Sequence, residues 1–227
     1  FGIGNDDPGQ LVLPVTDRSV IDSFKSEFNL TRSDSEKGLS LVIPCLYEDI
    51  TYDKIVKSFI MTWGMGIIKG EMEIHLAHND EVIVLDSDSL TDHINYIPEA
   101  NRDEVEQNIS FLKSAIETAD DQFFNLNRSE MNKPQWNFQN LMDDGLAREA
   151  LTALEENGKA SFKVPMKIVY MDRDDPDWGQ FEVHLFKDVS IQNPNSIEFY
   201  RDILIIPGVR ASSNLGRGYH AIVIVGG

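Results

Sequence analysis

A chain of 227 residues, 41% of them hydrophobic, is long enough for one large domain or for a small piece joined to a full one. Its 38 acidic against 20 basic residues give a formal net charge of −18, a field that repels phosphate backbones and anionic lipid, so direct nucleic-acid or membrane binding by this segment is not expected. No apolar run reaches the roughly 20 residues of a membrane span, no basic-then-apolar leader is visible, and the single Cys45 excludes a disulfide framework or a cysteine zinc site. A lone cysteine with apolar neighbours reads as a buried small hydrophobe in a reducing cytoplasm.

Phe1–Leu13 is irregular and rich in Gly, Asp and Pro. Thr16 then reads as an N-cap, and Val20, Ile21, Phe24 and Phe28 follow at helical spacing as far as Leu30. Thr31–Lys37 is a polar loop, and Leu39–Leu46 is an apolar run of a length that suits a buried strand. Thr51 is a second N-cap, with Asp53 favourably placed in the first turn and an apolar stripe at Ile55, Val56, Phe59, Ile60 and Trp63. Gly64, Gly66 and Gly70 are expected to weaken the end of that helix.

Glu71–Leu76 and Val82–Leu85 read as a hairpin around Ala77–Asp80. The clearest helix runs from about Asp103 to Leu126, on Val105, Ile109, Leu112, Ile116, Ala119 and Phe123. Another spans about Asp144 to Asn157 and stops at Gly158, a good C′ residue. The rest is strand-like: Phe162–Tyr170, Phe181–Phe186, Ile197–Ile205 bent at Arg201-Asp202, and His220–Val225. Helices and strands in this order give an α+β fold. A strand ending so close to Gly227, and an opening on Phe1, are expected of a segment of a longer protein.

Few residues are arranged for chemistry. Gly38-Leu39-Ser40 offers a backbone that a phosphate can approach and a hydroxyl beside it, although a turn into a strand uses the same residues. Asp172-Arg173-Asp174-Asp175-Pro176-Asp177 is rich enough in oxygen for calcium but lacks the glycine of an EF-hand loop, and a solvated hairpin loop explains it better. His75 and His78 are three apart with no third ligand nearby, and Glu71 and Glu73 read as solvated carboxylates on one strand face. Arg201, Arg210 and Arg217, the last in the loop Asn214-Leu215-Gly216-Arg217-Gly218, gather positive charge that suits a terminal phosphate presented by another domain. No nucleophile elbow, Gly-Lys-Ser/Thr phosphate loop or dinucleotide fingerprint is present.

These pieces resemble the Bergerat-fold (GHKL) ATPases, and among them the heat-shock-ninety-like bacterial ATPases of restriction and phage-defence clusters. The resemblance is carried by Arg32 before Gly38–Pro44, by Lys54–Ile67 with Gly70–Leu76, by the Tyr-Arg-Asp turn in Phe199–Ile203, and by the glycine-bearing loop and strand Gly216–Val225. It implies that residues 1–46 are the tail of an ATPase domain. Residues 47–227 are then the transducer, or middle, domain of ribosomal-protein-S-five type. ATP and magnesium are implied for the intact parent and none for this segment alone, because the family's magnesium-binding Asn and adenine-binding Asp are not found here. Leu39 also stands where many relatives carry Thr.

By the same resemblance Gly38 and Ser40 lie near the ATP phosphates; Arg210 and Arg217 are phosphate-sensing candidates on their charge and loop context alone and carry over poorly, because the family's phosphate-reaching arginine follows the last apolar strand. The partners implied are the rest of the ATPase domain, a second copy in a homodimer, and a protein client. The expected role is to couple ATP binding or hydrolysis to conformational change in bacterial defence or restriction. The alternative is an acidic, non-enzymatic protein-interaction module that recruits a basic partner; a metal-dependent hydrolase built on Asp172–Asp177 is a distant third.

Overall fold

The structure, a computed structural model, describes residues 15–43, 47, 49–78, 81–128, 141–169, 171, 175, 177–191, 197–209 and 215–226. The chain divides into two compact units, Phe1–Ile50 and Thr51–Gly227. Among the described residues the fold is α+β, with four α-helices, a two-stranded sheet and a six-stranded mixed sheet. No helix among them is long and apolar enough to cross a membrane.

The first unit contains α1, Arg18–Glu27. Its cap is Asp17 rather than Thr16: the Asp17 carboxylate accepts from the Ser19 amide at 2.9 Å, closing the first turn one residue later than expected. Asp34 accepts from Lys25 at 2.8 Å and also meets Arg18, which folds the polar loop back on the helix. The strand expected from Leu39 is not formed over the described residues 39–43, and the remainder, Pro44–Leu46 with Cys45, lies outside them. Leu39, Leu41 and Ile43 are 89%, 73% and 58% exposed, so burial fails as well as pairing. A β-type run needs a neighbouring strand to satisfy its backbone, and none pairs with this one among the described residues.

The second unit opens with α2, Tyr52–Ile68, capped at Thr51 without a side-chain bond. Gly64 and Gly66 are not its end but buried positions inside it. A Cβ on Gly64 would stand 3.0 Å from Leu112 Cδ1, and one on Gly66 would stand 3.2 Å from Ile203 Cδ1, so both glycines let neighbouring elements approach. Gly70, with φ +70, turns the chain out of the helix. β1 (Ile74–His78) and β2 (Glu81–Leu85) form the antiparallel hairpin, which starts at Ile74 rather than Glu71.

A short 3-10 turn at Asp92–Tyr96 leads to α3, Glu99–Ile116. Ile83, Leu85, Leu90, Ile94 and Ile97 pack with Val56 and Ile60 of α2 and Val105 and Ile109 of α3 in one core. The helix expected to reach Leu126 stops ten residues early. The Thr118 hydroxyl donates to the Ser114 carbonyl at 2.9 Å, and the Ala119 amide donates to the Gln122 side chain at 3.0 Å. Phe123 keeps the apolar period but sits in β3, Phe123–Asn125, a parallel partner of β4.

α4, Asp144–Asn157, is capped by Asp143 and ended by Gly158 with φ +69. It leads into β4 (Lys159–Ile168), β5 (Asp177–Lys187), β6 (Ile197–Arg201), β7 (Leu204–Ile205) and β8 (Tyr219–Val225). The strand order is β3-β4-β5-β8-β6-β7, with β8 and β6 parallel. The bend expected at Arg201-Asp202 is a hairpin turn: Asp202 takes φ +58 and Leu204 pairs back on Arg201.

Strand alternation places Ser161, His184, Phe186, His220, Ile222, Glu198 and Tyr200 on one sheet face. That face is covered by Met65 of α2 and by Leu112 and Ala115 of α3. Ala160 and Phe162 point to the other face, beside Ala150 and Leu154 of α4.

Candidate functional site

The residues expected to meet a nucleotide fall in different places. Gly38 has φ +129, and nothing lies within 4 Å of a Cβ built on it. Ser40 Oγ accepts from Arg32 Nε at 3.1 Å, while Arg32 Nη1 donates to the Glu36 carbonyl at 2.8 Å. An open glycine, a hydroxyl and a guanidinium suit the phosphate end of a nucleotide; the carboxylate in the same loop contact, Glu36, accepts from the Ser33 amide and feels the Arg32 charge.

Arg210 lies outside the described residues. Arg217 sits between Gly216 and Gly218, both at positive φ, just before β8. Arg201 is opposite Val225, at the far end of that seven-residue strand. A rise of about 3.3 Å per residue puts more than 20 Å between them, so Arg201 and Arg217 do not form the expected cluster. His75 is exposed and contacts Glu73, and its offset of three from His78 along β1 puts the two positions on opposite faces. Of the acidic loop, Asp172, Arg173, Asp174 and Pro176 lie outside the described residues. Among the described residues no three carboxylate, histidine or cysteine side chains gather as a metal site.

The polar groups the structure does bring together are on the helix-covered face of the large sheet. Ser161 Oγ and His184 Nδ1 are 2.9 Å apart on paired strands. Glu182 Oε2 is 3.6 Å from His184 Nε2, beyond hydrogen-bond reach, and that nitrogen has no hydrogen-bond partner among the described residues. Burial, helped by the Lys159 cation, pushes the imidazole down to about 4, so it is neutral near pH 7. The trio has the composition of a catalytic triad without its access: Ser161 is 2% exposed and His184 is fully enclosed, with Phe123 edge-on at 5.5 Å. Its chemistry is internal hydrogen bonding.

Two cavities flank this layer. One, of about 690 Å³, runs along a face of α3 past Glu106, Ser110, Lys113 and Glu117 to Lys159. Its mixed charges and wide mouth give it no single ligand preference. Lys159 is committed elsewhere: its ammonium donates to the Ser114 carbonyl and the Thr118 hydroxyl, each at 2.5 Å. It thus caps the C-terminus of α3 from the first residue of β4, although burial pulls its pKa down against the pull of Glu117. Lys159→Met, which keeps the stem and removes the donor, is expected to lower unfolding stability in urea by about 2 kcal/mol and to loosen the last turn of α3 in amide exchange. The other cavity, about 400 Å³, is an apolar groove between Leu151 and Leu154 of α4 and Phe162 of β4.

A sequence reading passes over Ser161, His184, Glu198 and His220 because each is a polar residue within a strand, and it notices Tyr200 only for the turn that follows it. The available signal was register: they share parity with Phe186 and Ile222 once the strands are aligned. No family model, curated protein or solved structure matches the chain.

Proposed function

We propose that this chain is the tail of an ATPase domain followed by the transducer domain of a heat-shock-ninety-like GHKL ATPase, and that it couples nucleotide state to conformational change in bacterial defence or restriction. The observation that carries the reading is Leu39–Ile43. Its Leu39, Leu41 and Ile43 are exposed, it follows an open glycine, and it has no strand partner among the described residues. An apolar run of this kind is costly in water and suits a strand completed by a sheet supplied elsewhere, here the ATPase domain. The Arg32–Ser40 contact beside it supplies donors for the phosphate end of ATP, with magnesium and adenine held by residues outside this chain.

The test uses the gene product at its native length. Its mass is measured, and its thermal unfolding is followed with magnesium and ATP, with ADP, and without nucleotide. A mass well above 25.7 kDa and a concentration-dependent stabilisation by Mg-ATP are expected, about 2.7 kcal/mol at a hundred times Kd. Gly38→Val is expected to reduce that shift, since a β-branched residue resists φ +129 and crowds the approach. A native-length protein that no nucleotide stabilises would remove the ATPase reading and leave the acidic interaction module, for which the net charge of −18 speaks.

A further inference from the structure

The large sheet is closed on one face and open on part of the other. On the α3 side Ile222 and His184 are fully buried, Tyr200 is 1% exposed, and Glu198 accepts from Asn108 Nδ2 of α3 at 3.0 Å. The opposite face is apolar across four strands. Phe162, Val183, Val223 and Phe199 stand in one register row, with Ile197 and Val225 in the rows beside it. All six are only half-buried, and Leu204 of β7, on the same side as its register partner Arg201, is 46% exposed.

β8 runs Ala221-Ile222-Val223-Ile224-Val225, the near-continuous apolar pattern of a strand buried on both faces, and it pairs in parallel with β6. α4 packs on β4 and β5, whereas α3, the helix packed on β8, lies on the other face. Strands stand about 4.8 Å apart and a helix is about 10 Å across, so one helix covers about two strands. The width left beside α4 is that of β8 and β6, room for one more helix. The apolar groove along Leu151 and Leu154 of α4 is lined by Phe162 of the same face.

Charge selects the occupant. α4 and its cap carry Asp143, Asp144, Glu149, Glu155 and Glu156 against Arg148 alone, and of these carboxylates only Glu155 has an ion-pair partner among the described residues, Lys187. A second copy of the chain brings the same net charge of −18 and is repelled, whereas a basic segment is attracted. Arg201, exposed at the end of β6 on this face, suits the carbonyl end of a helix lying along that strand. We propose that this face, over β8 and β6 and beside α4, docks an amphipathic helix of a partner protein, apolar toward the sheet and basic toward α4. The surface lies wholly in the Thr51–Gly227 unit and requires no nucleotide, so it goes beyond the coupling role and stands without it.

The probe is a synthetic helical peptide with leucine on one face and lysine on the other. About 15 residues match the length of the seven-residue strand β8. Its binding to the native-length protein is titrated by fluorescence anisotropy, against a peptide of the same composition in scrambled order. Val223→Thr keeps the branched shape and removes apolar surface at the centre of the face. Leu204→Ser does the same at its exposed edge, where the fold is least at risk. The ordered peptide is expected to bind, the scrambled one to bind at least about tenfold more weakly, and the two substitutions together to weaken the ordered peptide about tenfold at an unchanged urea midpoint. In the wild type, amide exchange of β8 and β6 should slow on binding while that of α3 stays as it was. Equal binding of both peptides would reduce the attraction to charge and overturn the proposal. So would binding by neither peptide, or binding that survives both substitutions. A dimer in sedimentation that Leu204→Ser dissolves would overturn it in favour of a second copy.

Discussion

Acidification from pH 6.5 to 4 is expected to strip most of the stability from the Thr51–Gly227 unit, through two histidines. His184 and His220 lie inside the layer between α3 and the sheet, and burial depresses both to about 4. An unfolded histidine titrates near 6.5, so between these values the unfolded chain binds more protons than the folded one. The stability these neutral rings allow is complete above about pH 6.5 and is lost as pH falls toward 4. Each shift corresponds to about 3 kcal/mol, and the pair together approaches the net stability of a typical domain, about 5–15 kcal/mol.

The measurement is urea unfolding at half-unit steps between pH 7 and 4, on wild type, His184→Phe and His220→Phe. His220 already stacks on Phe111, with centroids 4.9 Å apart and planes within 16°, so phenylalanine can take its place with little repacking. Each variant should remove about half of the wild-type slope in this window. A slope unchanged in both would mean that the folded imidazoles already titrate normally, and the burial argument would fail.

What could be read ahead of the structure followed from how local the cause was. α4 was legible nearly to the residue, because Asp143 and Gly158 mark its two ends with a capping carboxylate and a left-handed turn. The α+β class was legible from the order of helices and strands, β4 and β5 from alternation, and β6 and β8 as short β-type runs. The overrun of α3 was not. Ala119 and Phe123 keep a helical period, and the helix is ended by Lys159, a residue more than forty positions away that caps it from β4. Leu39–Ile43 misled in the opposite sense: its composition is that of a buried strand, but burial requires a neighbour that composition does not specify. Glu182, His184 and Phe186 alternate with Phe181, Val183 and Leu185, and alternation alone does not say which face is enclosed. Here helices cover both faces of the sheet, and the face with the buried histidines is the better enclosed. Of the residues expected at a nucleotide, Gly38 and Ser40 lie in one loop, where Ser40 accepts from Arg32, a contact that the spacing of Arg32 and Ser40 does not announce. Separation of Arg201 from Arg217 depends on the parallel register of β6 and β8, which no local pattern encodes.

The second large effect is at the contact between α2 and α3. Leu112 is fully buried, in a cluster with Met65, Ala115, Phe186, Tyr200 and Ile222. Leu112→Ala is expected to cost about 3 kcal/mol, the transfer of the lost carbons plus the cavity they leave. Gly64→Ala alone is expected to change stability by less than about 1 kcal/mol. Alanine gains up to about 1 kcal/mol of helix propensity, but its methyl would lie 3.0 Å from Leu112 Cδ1 and must displace it. In the double variant the displaced atom is gone and the methyl enters part of the vacated space. The double should therefore be more stable than the two single effects predict, by about 1 kcal/mol, in a double-mutant cycle of urea midpoints. Strict additivity would mean that the two positions do not touch, and that something other than Gly64 sets the spacing of the helices. A positive coupling would tie that spacing to α3 as a whole. Asn108 stands on the same helix one turn before Leu112, so a shift of α3 away from α2 would also move the amide that holds Glu198.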